Sequence, residues 1–504
     1  MRQWTLAVLA ILVVRAWGCG PAQAQDLSEF EKRITEFTLP NGLHFIVLER
    51  HEAPVAAFLT LANVGSVDEQ RGLTGMAHVF EHMAFKGTQT IGTKDYEAEA
   101  KALARIDEVF AAIKAERLRP SPDKARLEQL QRDFVKAQEE AQQYLVHDEF
   151  EETLQRAGGE GLNAGTGTDR TMYFVNLPAN KMELWMALES DRYLHPVLRE
   201  FYKERDVIME ERRLGVESDP TGRLLEEFLA VAYKAHPYGT EVIGHMSDLE
   251  SMSRSDAEAF FKTYYTPGNL TIAVVGDVDP RQVQDMAARY FGRIPRGPKP
   301  GPVVTREPPQ LGERRVSVED QAQPVVLIGF HKPGINDPNN AVYEAITDIM
   351  GAGRTSRIYG SLVKEKRIAM QASAFQGLPG SKYPGLFLFY AFPSKGHTHT
   401  ECEQALMAEV ERLKTEPVTA EELKKAKTRA RAGLIRQLGS NMGLAQQLTY
   451  YQVLTGDWRN LFRQLDRIDK VTAEDILRVA RQTFTTRNRT VGVIAAGETP
   501  APQG

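Results

Sequence analysis

The feature that most limits how this chain can fold is an internal echo at a constant offset of 219 residues. Ser253-Arg254-Ser255-Asp256 opens a stretch of helical character that runs into Tyr265-Thr266-Pro267-Gly268-Asn269 and the apolar run Leu270 to Val275. Thr472-Ala473-Glu474-Asp475 opens a similar stretch, leading to Phe484-Thr485-Thr486-Arg487-Asn488 and the run Arg489 to Ile494. In each copy a Ser or Thr can cap the helix, and the acid three residues on faces the helix dipole. Pro54-Val55 and Pro324-Val325 likewise each enter a strand-like apolar run. One α+β unit present twice is the economical reading. A chain of 504 residues is also too long for a single ordinary core. The expected fold class is therefore α+β, two homologous α/β-sandwich domains.

Pro295-Arg296-Gly297-Pro298-Lys299-Pro300-Gly301-Pro302 lies between the copies. Such a segment is stiff and cannot enter a central sheet, so it reads as a surface linker. The linker is placed at 295–312, between an N-terminal domain over 26–294 and a C-terminal domain over 313–498. The first domain carries an excess. From Asp95 to about His147 the sequence is rich in Ala, Glu, Lys, Leu and Gln at helical spacing, broken once at Arg119-Pro120-Ser121-Pro122-Asp123. This predicts an inserted helical hairpin at 95–147 whose charges form a solvated face. A partner-binding or gating role is the alternative reading of the same charges.

The N-terminus reads as an export signal over residues 1–24. Arg2 gives a positive start, Leu6 to Val14 a short apolar run, and Ala22-Gln23-Ala24 small residues for cleavage. The run is too short to span a bilayer, and the mature chain is expected to hold no transmembrane segment. Lipoprotein processing at Cys19 is disfavoured, because Ala16-Trp17-Gly18 matches the usual box poorly. Cleavage near Ala24 leaves Cys402 as the sole cysteine, with neither a disulfide framework nor a cysteine zinc site. A secreted protein, periplasmic in location, is the expectation. Net charge is −5, so no basic excess points to nucleic acid or anionic lipid.

Residues 78–82 read His-Val-Phe-Glu-His. On a helix, positions i and i+4 share a face, so His78 and His82 can present ring nitrogens to one metal ion. Glu81 sits on that face between them, placed to act on water rather than on the metal. This is the inverted form of the H-E-x-x-H arrangement. A third ligand must come from elsewhere, and Glu-Arg-Asp-Val-Ile-Met-Glu-Glu at 204–211 offers carboxylates. Glu204 and Glu211 are seven apart, two turns along one helical face. A Glu from a second helix would complete a two-His, one-Glu set with one coordination position open.

The sequence also resembles a known family. Leu39-Pro40-Asn41-Gly42-Leu43, Gly65-Ser66-Val67-Asp68-Glu69 and the run Gly72 to Thr88 are similar to the pitrilysin-type metallopeptidases. The beta subunit of mitochondrial processing peptidase, insulin-degrading enzyme and secreted bacterial two-domain members belong to that family. The likeness continues through Asn163-Ala164, the 204–211 segment, His236-Pro237-Tyr238-Gly239 and Tyr264-Tyr265-Thr266-Pro267, covering nearly the whole mature chain. It implies two domains facing each other as a clam-shell around a peptide. It implies one zinc ion per chain held by His78, His82 and Glu211, with Glu81 as general base and Glu204 orienting the ligands from behind. Asn163 and Ala164 match the segment that lines the bound peptide at a sheet edge, by strand addition. The activity implied is zinc-dependent endopeptidase cleavage of peptides or unfolded polypeptides.

Two departures from the family pattern stand out. The gap from His82 to Glu211 exceeds the usual spacing by about the length of the 95–147 hairpin. In many members the second half also carries an Arg and, seven residues on, a Tyr that bind substrate from the opposite wall. Aligned on Ser356-Arg357, those positions here are Val363 and Met370, which offer no hydrogen-bond donor. Arg354, Arg357 and Tyr359 lie nearby at other spacings. The expectation is a zinc-bearing subunit of a heterodimer whose related partner chain supplies the Arg–Tyr pair. A homodimer ranks below it. The alternative function is a catalytically silent scaffold or assembly subunit of the same fold.

Overall fold

The computed structural model describes residues 31–496, so the signal segment and Cys19 lie outside the described residues. Eleven strands form two sheets among the described residues. The first contains β1 (Ile34–Thr38), β2 (His44–Glu49), β3 (Val55–Ala62), β4 (Glu160–Thr166), β5 (Thr171–Pro178) and β6 (Leu270–Gly276). The second contains β7 (Arg314–Asp320), β8 (Val325–Lys332), β9 (Ala369–Leu378), β10 (Gly385–Pro393) and β11 (Arg489–Ala496). Their orders are β1-β2-β6-β3-β5-β4 and β7-β11-β8-β10-β9. Without β1 the two sheets match strand for strand and in sense. β2 runs parallel to β6 as β7 does to β11, and every other pair is antiparallel.

The chemistry of the repeat explains this match. Ser253 and Asp256, and Thr472 and Asp475, form reciprocal capping boxes that start the helices Arg254–Tyr264 and Ala473–Thr483. Each helix ends one short turn before the strand that fills the middle of its sheet. That strand pairs on both sides, which suits its nearly unbroken apolar sequence.

The two halves do not pack independently. One face of each sheet is covered by helices of its own half, as in an α/β sandwich. The opposite face is covered by the other half. Ile46, Leu48, Leu59, Leu61, Ala273 and Val275 of the first sheet pack on Leu444, Leu448, Trp458, Leu461 and Leu465 of the C-terminal helices Asn441–Thr455 and Asn460–Asp469 and the turn between them. Conversely, Leu224, Phe228 and Leu229 of the helix Pro220–Ala232 pack on Leu327, Leu388 and Ile494 of the second sheet. Gly329 and Gly492 make that contact possible, since a Cβ at either would lie 2.7 and 2.9 Å from the Phe228 ring. The segment from 295 runs between these bodies without regular structure. It is tied down by Glu307, which accepts the backbone N–H groups of Lys234, Ala235 and His236.

The Ala- and Glu-rich segment forms two antiparallel helices, Tyr96–Arg117 and Lys124–Gln142, capped by Asp95 and Asp123. Their inner faces bury Leu103, Ile106, Phe110 and Ile113. Phe110 and Phe134 pack tilted and edge-on around Tyr202, with ring centroids at 4.7 and 5.1 Å, so the hairpin leans on the helix Phe201–Arg212. Among the described residues no helix is long and apolar enough to cross a membrane.

Candidate metal centre

The H-x-x-E-H segment is the helix Met76–Met83. Met76, Ala77, Val79, Phe80 and Met83 are buried on one side, which leaves His78, Glu81 and His82 on the other. The helix begins sharply at Gly75, whose φ of 92° is open to glycine. A Cβ there would also meet the Ile243 carbonyl at 2.8 Å. Glu69 accepts hydrogen bonds from the N–H groups of Gly75 and Ala77 at 2.8 and 2.7 Å, satisfying free donors at the helix start, while burial pushes its own pKa up to about 8. Asp248 holds the preceding turn through Gly72 N, Thr74 N and Thr74 Oγ1. From beneath, the Tyr173 hydroxyl donates to the Phe80 carbonyl at 3.3 Å, and buried Arg192 donates to that of Ala84 at 3.4 Å. The helix is therefore fixed at both ends and along its buried side.

The helix Phe201–Arg212 lies against it and brings in the carboxylates. His78 Nε2 and His82 Nε2 each lie 3.7 Å from an oxygen of Glu211. The three groups offer one ligand atom apiece, all within 4.8 Å of one another. These gaps are too long for hydrogen bonds. They suit groups arranged around a common point, since tetrahedral zinc ligands at bond lengths of about 2.0–2.1 Å sit roughly 3.3 Å apart. The rings stand at 87° to each other with centroids 5.0 Å apart, so both nitrogens can point inward. His78 Nδ1 is buried without a hydrogen-bond partner. Burial and the neighbouring His82 hold the His78 pKa below the ordinary value, which favours the neutral, lone-pair-bearing ring. The residues present thus fit a zinc ion.

Behind His82 runs a charged relay. His82 Nδ1 lies 3.3 Å from Glu204 Oε2, and the other Glu204 oxygen is 2.6 Å from Lys86 Nζ. Lys86 also pairs with Glu200 at 3.2 Å. Burial alone would raise the Glu204 carboxyl, but His82 and Lys86 outweigh it and hold it at about 2. Burial likewise pulls His82 down, while the bond to Glu204 and the surrounding carboxylates leave its pKa raised. A carboxylate on Nδ1 fixes the tautomer with Nδ1–H and leaves Nε2 free to ligate. Glu210 points away and pairs with Arg213. The Glu81 carboxylate, half-buried, has no hydrogen bond or ion pair among the described residues.

Asn163 and Ala164 lie on β4, the free edge of the first sheet, beside the histidine helix. They face opposite ways. Ala164 is buried in the core, while Asn163 is exposed and its Oδ1 accepts the Ala164 N–H at 2.8 Å. In the second half, Val363 packs against the core and Met370 stands 58% exposed on the edge strand β9. Arg357 is committed elsewhere, forked onto Glu422 at 2.7 and 3.0 Å.

Sequence reasoning missed Glu69, Lys86, Glu200 and Arg199. Lys86 had a signal, four residues beyond His82 and so one turn further along. Glu69 lay inside a quoted stretch but had no visible partner. Nothing in the sequence marks Arg199.

The duplicated sheets and the H-x-x-E-H helix packed on the first of them define a class, the internally repeated α+β chains built around an inverted zincin motif. Within that class the chain belongs to the M16, or pitrilysin-type, peptidase family. The model described as "Insulinase (Peptidase family M16)" matches residues 45–116 and 138–245, and "Peptidase M16 inactive domain" matches 251–430. The interruption at 117–137 falls in the helical hairpin. The zinc protease PqqE of Helicobacter pylori is 27% identical over 455 residues, 89% of each chain. Mitochondrial-processing peptidase subunit beta of Saccharomyces cerevisiae is 21% identical over 482 residues, 92% of this chain and 90% of that one. The crystal structure of a protease from Helicobacter pylori superposes with a TM-score of 0.77 at 25% identity, covering 92% of this chain and 99% of that one.

Proposed function

We propose that the chain is a zinc-dependent endopeptidase acting on peptides or unfolded polypeptides. The observation that carries this reading is the convergence of His78, His82 and Glu211 within 4.8 Å beside an unpaired Glu81 carboxylate. One zinc ion per chain would supply Lewis acidity there, making water acidic near neutrality and polarising the scissile carbonyl. His78 and His82 present their Nε2 atoms, and Glu204 holds the His82 proton on Nδ1. Glu81 takes a proton from water and returns it to the leaving amine. Glu211 is 44% exposed, so substrate and water can reach the centre. The extended substrate adds to the edge of β4, with the exposed Asn163 and the Ala164 backbone along its path.

The opposite wall needs donors that Val363 and Met370 lack, and Arg357 is held by Glu422. We therefore assign the missing Arg–Tyr pair to a related second chain, with which this one acts in the periplasm. A silent scaffold is the second reading, favoured by the same missing donors and by the "inactive domain" match over residues 251–430. Zinc content and peptide cleavage, measured on the chain alone and with its co-purifying protein, separate these. The proposal expects stoichiometric zinc, little cleavage alone, and cleavage with the partner that Glu81→Gln lowers about 10²- to 10⁴-fold. Full activity of the single chain refutes the partner. Unchanged cleavage by the Glu81 variant refutes the base, and zinc without cleavage in either preparation establishes the scaffold.

A further inference from the structure

We infer that the helical hairpin is a positioning device for the metal centre, acting through the buried pair Glu99–Arg199. This rests on the reading that His78, His82 and Glu211 bind zinc. Arg199 lies two residues before the helix that carries Glu204 and Glu211, and it is 1% exposed. All five of its N–H donors are engaged. Nε and one Nη2 hydrogen go to the two oxygens of Glu99 on the first hairpin helix, at 2.7 and 3.0 Å. The rest go to the carbonyls of Lys86, Thr88 and Ile91, at 2.5, 2.7 and 3.0 Å. Those carbonyls belong to the loop that leaves the histidine helix.

The loop is shaped around the guanidinium. Gly87 and Gly92 both have positive φ, and a Cβ at either would lie about 3 Å from Arg199 Nη1 (2.9 and 3.0 Å). Glu99, itself 2% exposed, supplies the only carboxylate among the described residues that contacts this cation. Without it a full positive charge would be buried against neutral carbonyls, a costly state. The next residue, Glu200, adopts the left-handed conformation at φ 56°, turning its side chain to Lys86 while Arg199 enters the loop. Lys86 then holds Glu204, and Glu204 holds His82. The sequence of contacts from hairpin to ligand is therefore Glu99, Arg199, the Lys86 loop, Glu204, His82. The hairpin also braces the ligand helix directly, through Phe110 on Tyr202 and through the Tyr202 hydroxyl, which donates to Asp107 at 3.3 Å.

Coupling of this kind is reciprocal: what the hairpin does for zinc, zinc must do for the hairpin. Two measurements test it with zinc alone as the probe. In the wild-type chain, hydrogen exchange of residues 86–92 and 95–103 is compared with and without zinc; both segments should slow together. Competition against a chromophoric chelator should show Glu99→Gln binding zinc about 3- to 10-fold more weakly, below the 10- to 100-fold typical of direct ligand supports. Glu99→Asp, which keeps the charge, should recover part of that loss. Equal zinc affinity of Glu99→Gln and wild type, with only the melting temperature lowered, overturns the inference and leaves the pair a structural staple. Unchanged exchange at 95–103 on zinc addition overturns it as well, and needs no variant to fold. Failure of the wild type to bind zinc instead refutes the reading beneath it.

Discussion

Cleaving the chain in its linker should not separate its halves. A protease recognition sequence inserted at Gly301-Pro302, an exposed point where a Cβ at Gly301 meets nothing within 4 Å, leaves both sheets intact. What then holds the halves is the exchanged packing. Eight large side chains of the C-terminal half, Leu434, Leu438, Leu444, Leu448, Trp458, Leu461, Phe462 and Leu465, are buried in the cluster that covers the first sheet. At about 1.5–3 kcal/mol each this is roughly 12–24 kcal/mol, an upper figure because the unfolded chain already hides some surface. Leu224, Phe228 and Leu229 on the second sheet add about 4.5–9 kcal/mol by the same rule. Association of two bodies costs about 4–15 kcal/mol, and the middle of the remaining range exceeds the roughly 8 kcal/mol of a micromolar complex. Size-exclusion chromatography of the cleaved protein should give one peak at the intact elution volume, resolved into two fragments only in denaturant. Residues 26–294 expressed alone should aggregate or bind a hydrophobic dye, since Ile46, Leu48, Leu59 and Leu61 lose their cover. Two native peaks after cleavage, or a soluble and dye-silent fragment, would refute the reasoning.

Glu204→Gln keeps the shape of the side chain but removes the charge that Lys86 and His82 share. A carboxyl held at about 2 instead of 4.5 bounds the interaction at about 3.4 kcal/mol, and partial exposure reduces it to about 1.5–2.5 kcal/mol. Zinc affinity by chelator competition should fall about 10- to 100-fold, while the neighbouring Glu210→Gln changes it less than twofold; equal behaviour of the two removes the relay. Lys332 is buried with no hydrogen bond or ion pair among the described residues, over the Tyr343 ring at 5.1 Å, and burial pushes its pKa down to about 8. The unfolded chain holds that proton up to about 10.5, so wild-type stability should rise from pH 8 to 10.5. Lys332→Met should lack this slope and be about 1–3 kcal/mol more stable at pH 7 by urea unfolding; a destabilised variant would show an unseen partner for the ammonium.

Much of this architecture was legible in the sequence because its signals are local. A capping box needs four residues, so Ser253–Asp256 and Thr472–Asp475 mark two helices before any fold is known. The offset between them announces a repeated unit, and the sheets repeat strand for strand. The ligand candidates were legible for the same reason, since His78 and His82 need one helical turn and Glu204 and Glu211 need two. What escaped were contacts whose partners lie far apart in sequence. Glu99 and Arg199 are 100 residues apart; Glu99 alone reads as a charge on the solvated face of the hairpin, and Arg199 carries no mark at all.

The exchange of helices between the halves was hidden by a different cause. Phe228 sits in a helix whose apolar pattern states that one face is buried, but periodicity cannot name the sheet it covers. The information is present at Gly329 and Gly492, where two strands give up side chains to admit the Phe228 ring. A glycine inside a strand lowers its stability, so two of them on one face call for a bulky visitor. That visitor comes from beyond the linker, which a boundary drawn by composition would not predict. The linker therefore divides the sheets but not the cores. The halves are fastened together by helices that cover each other's sheet faces, and motion between them must work against that packing.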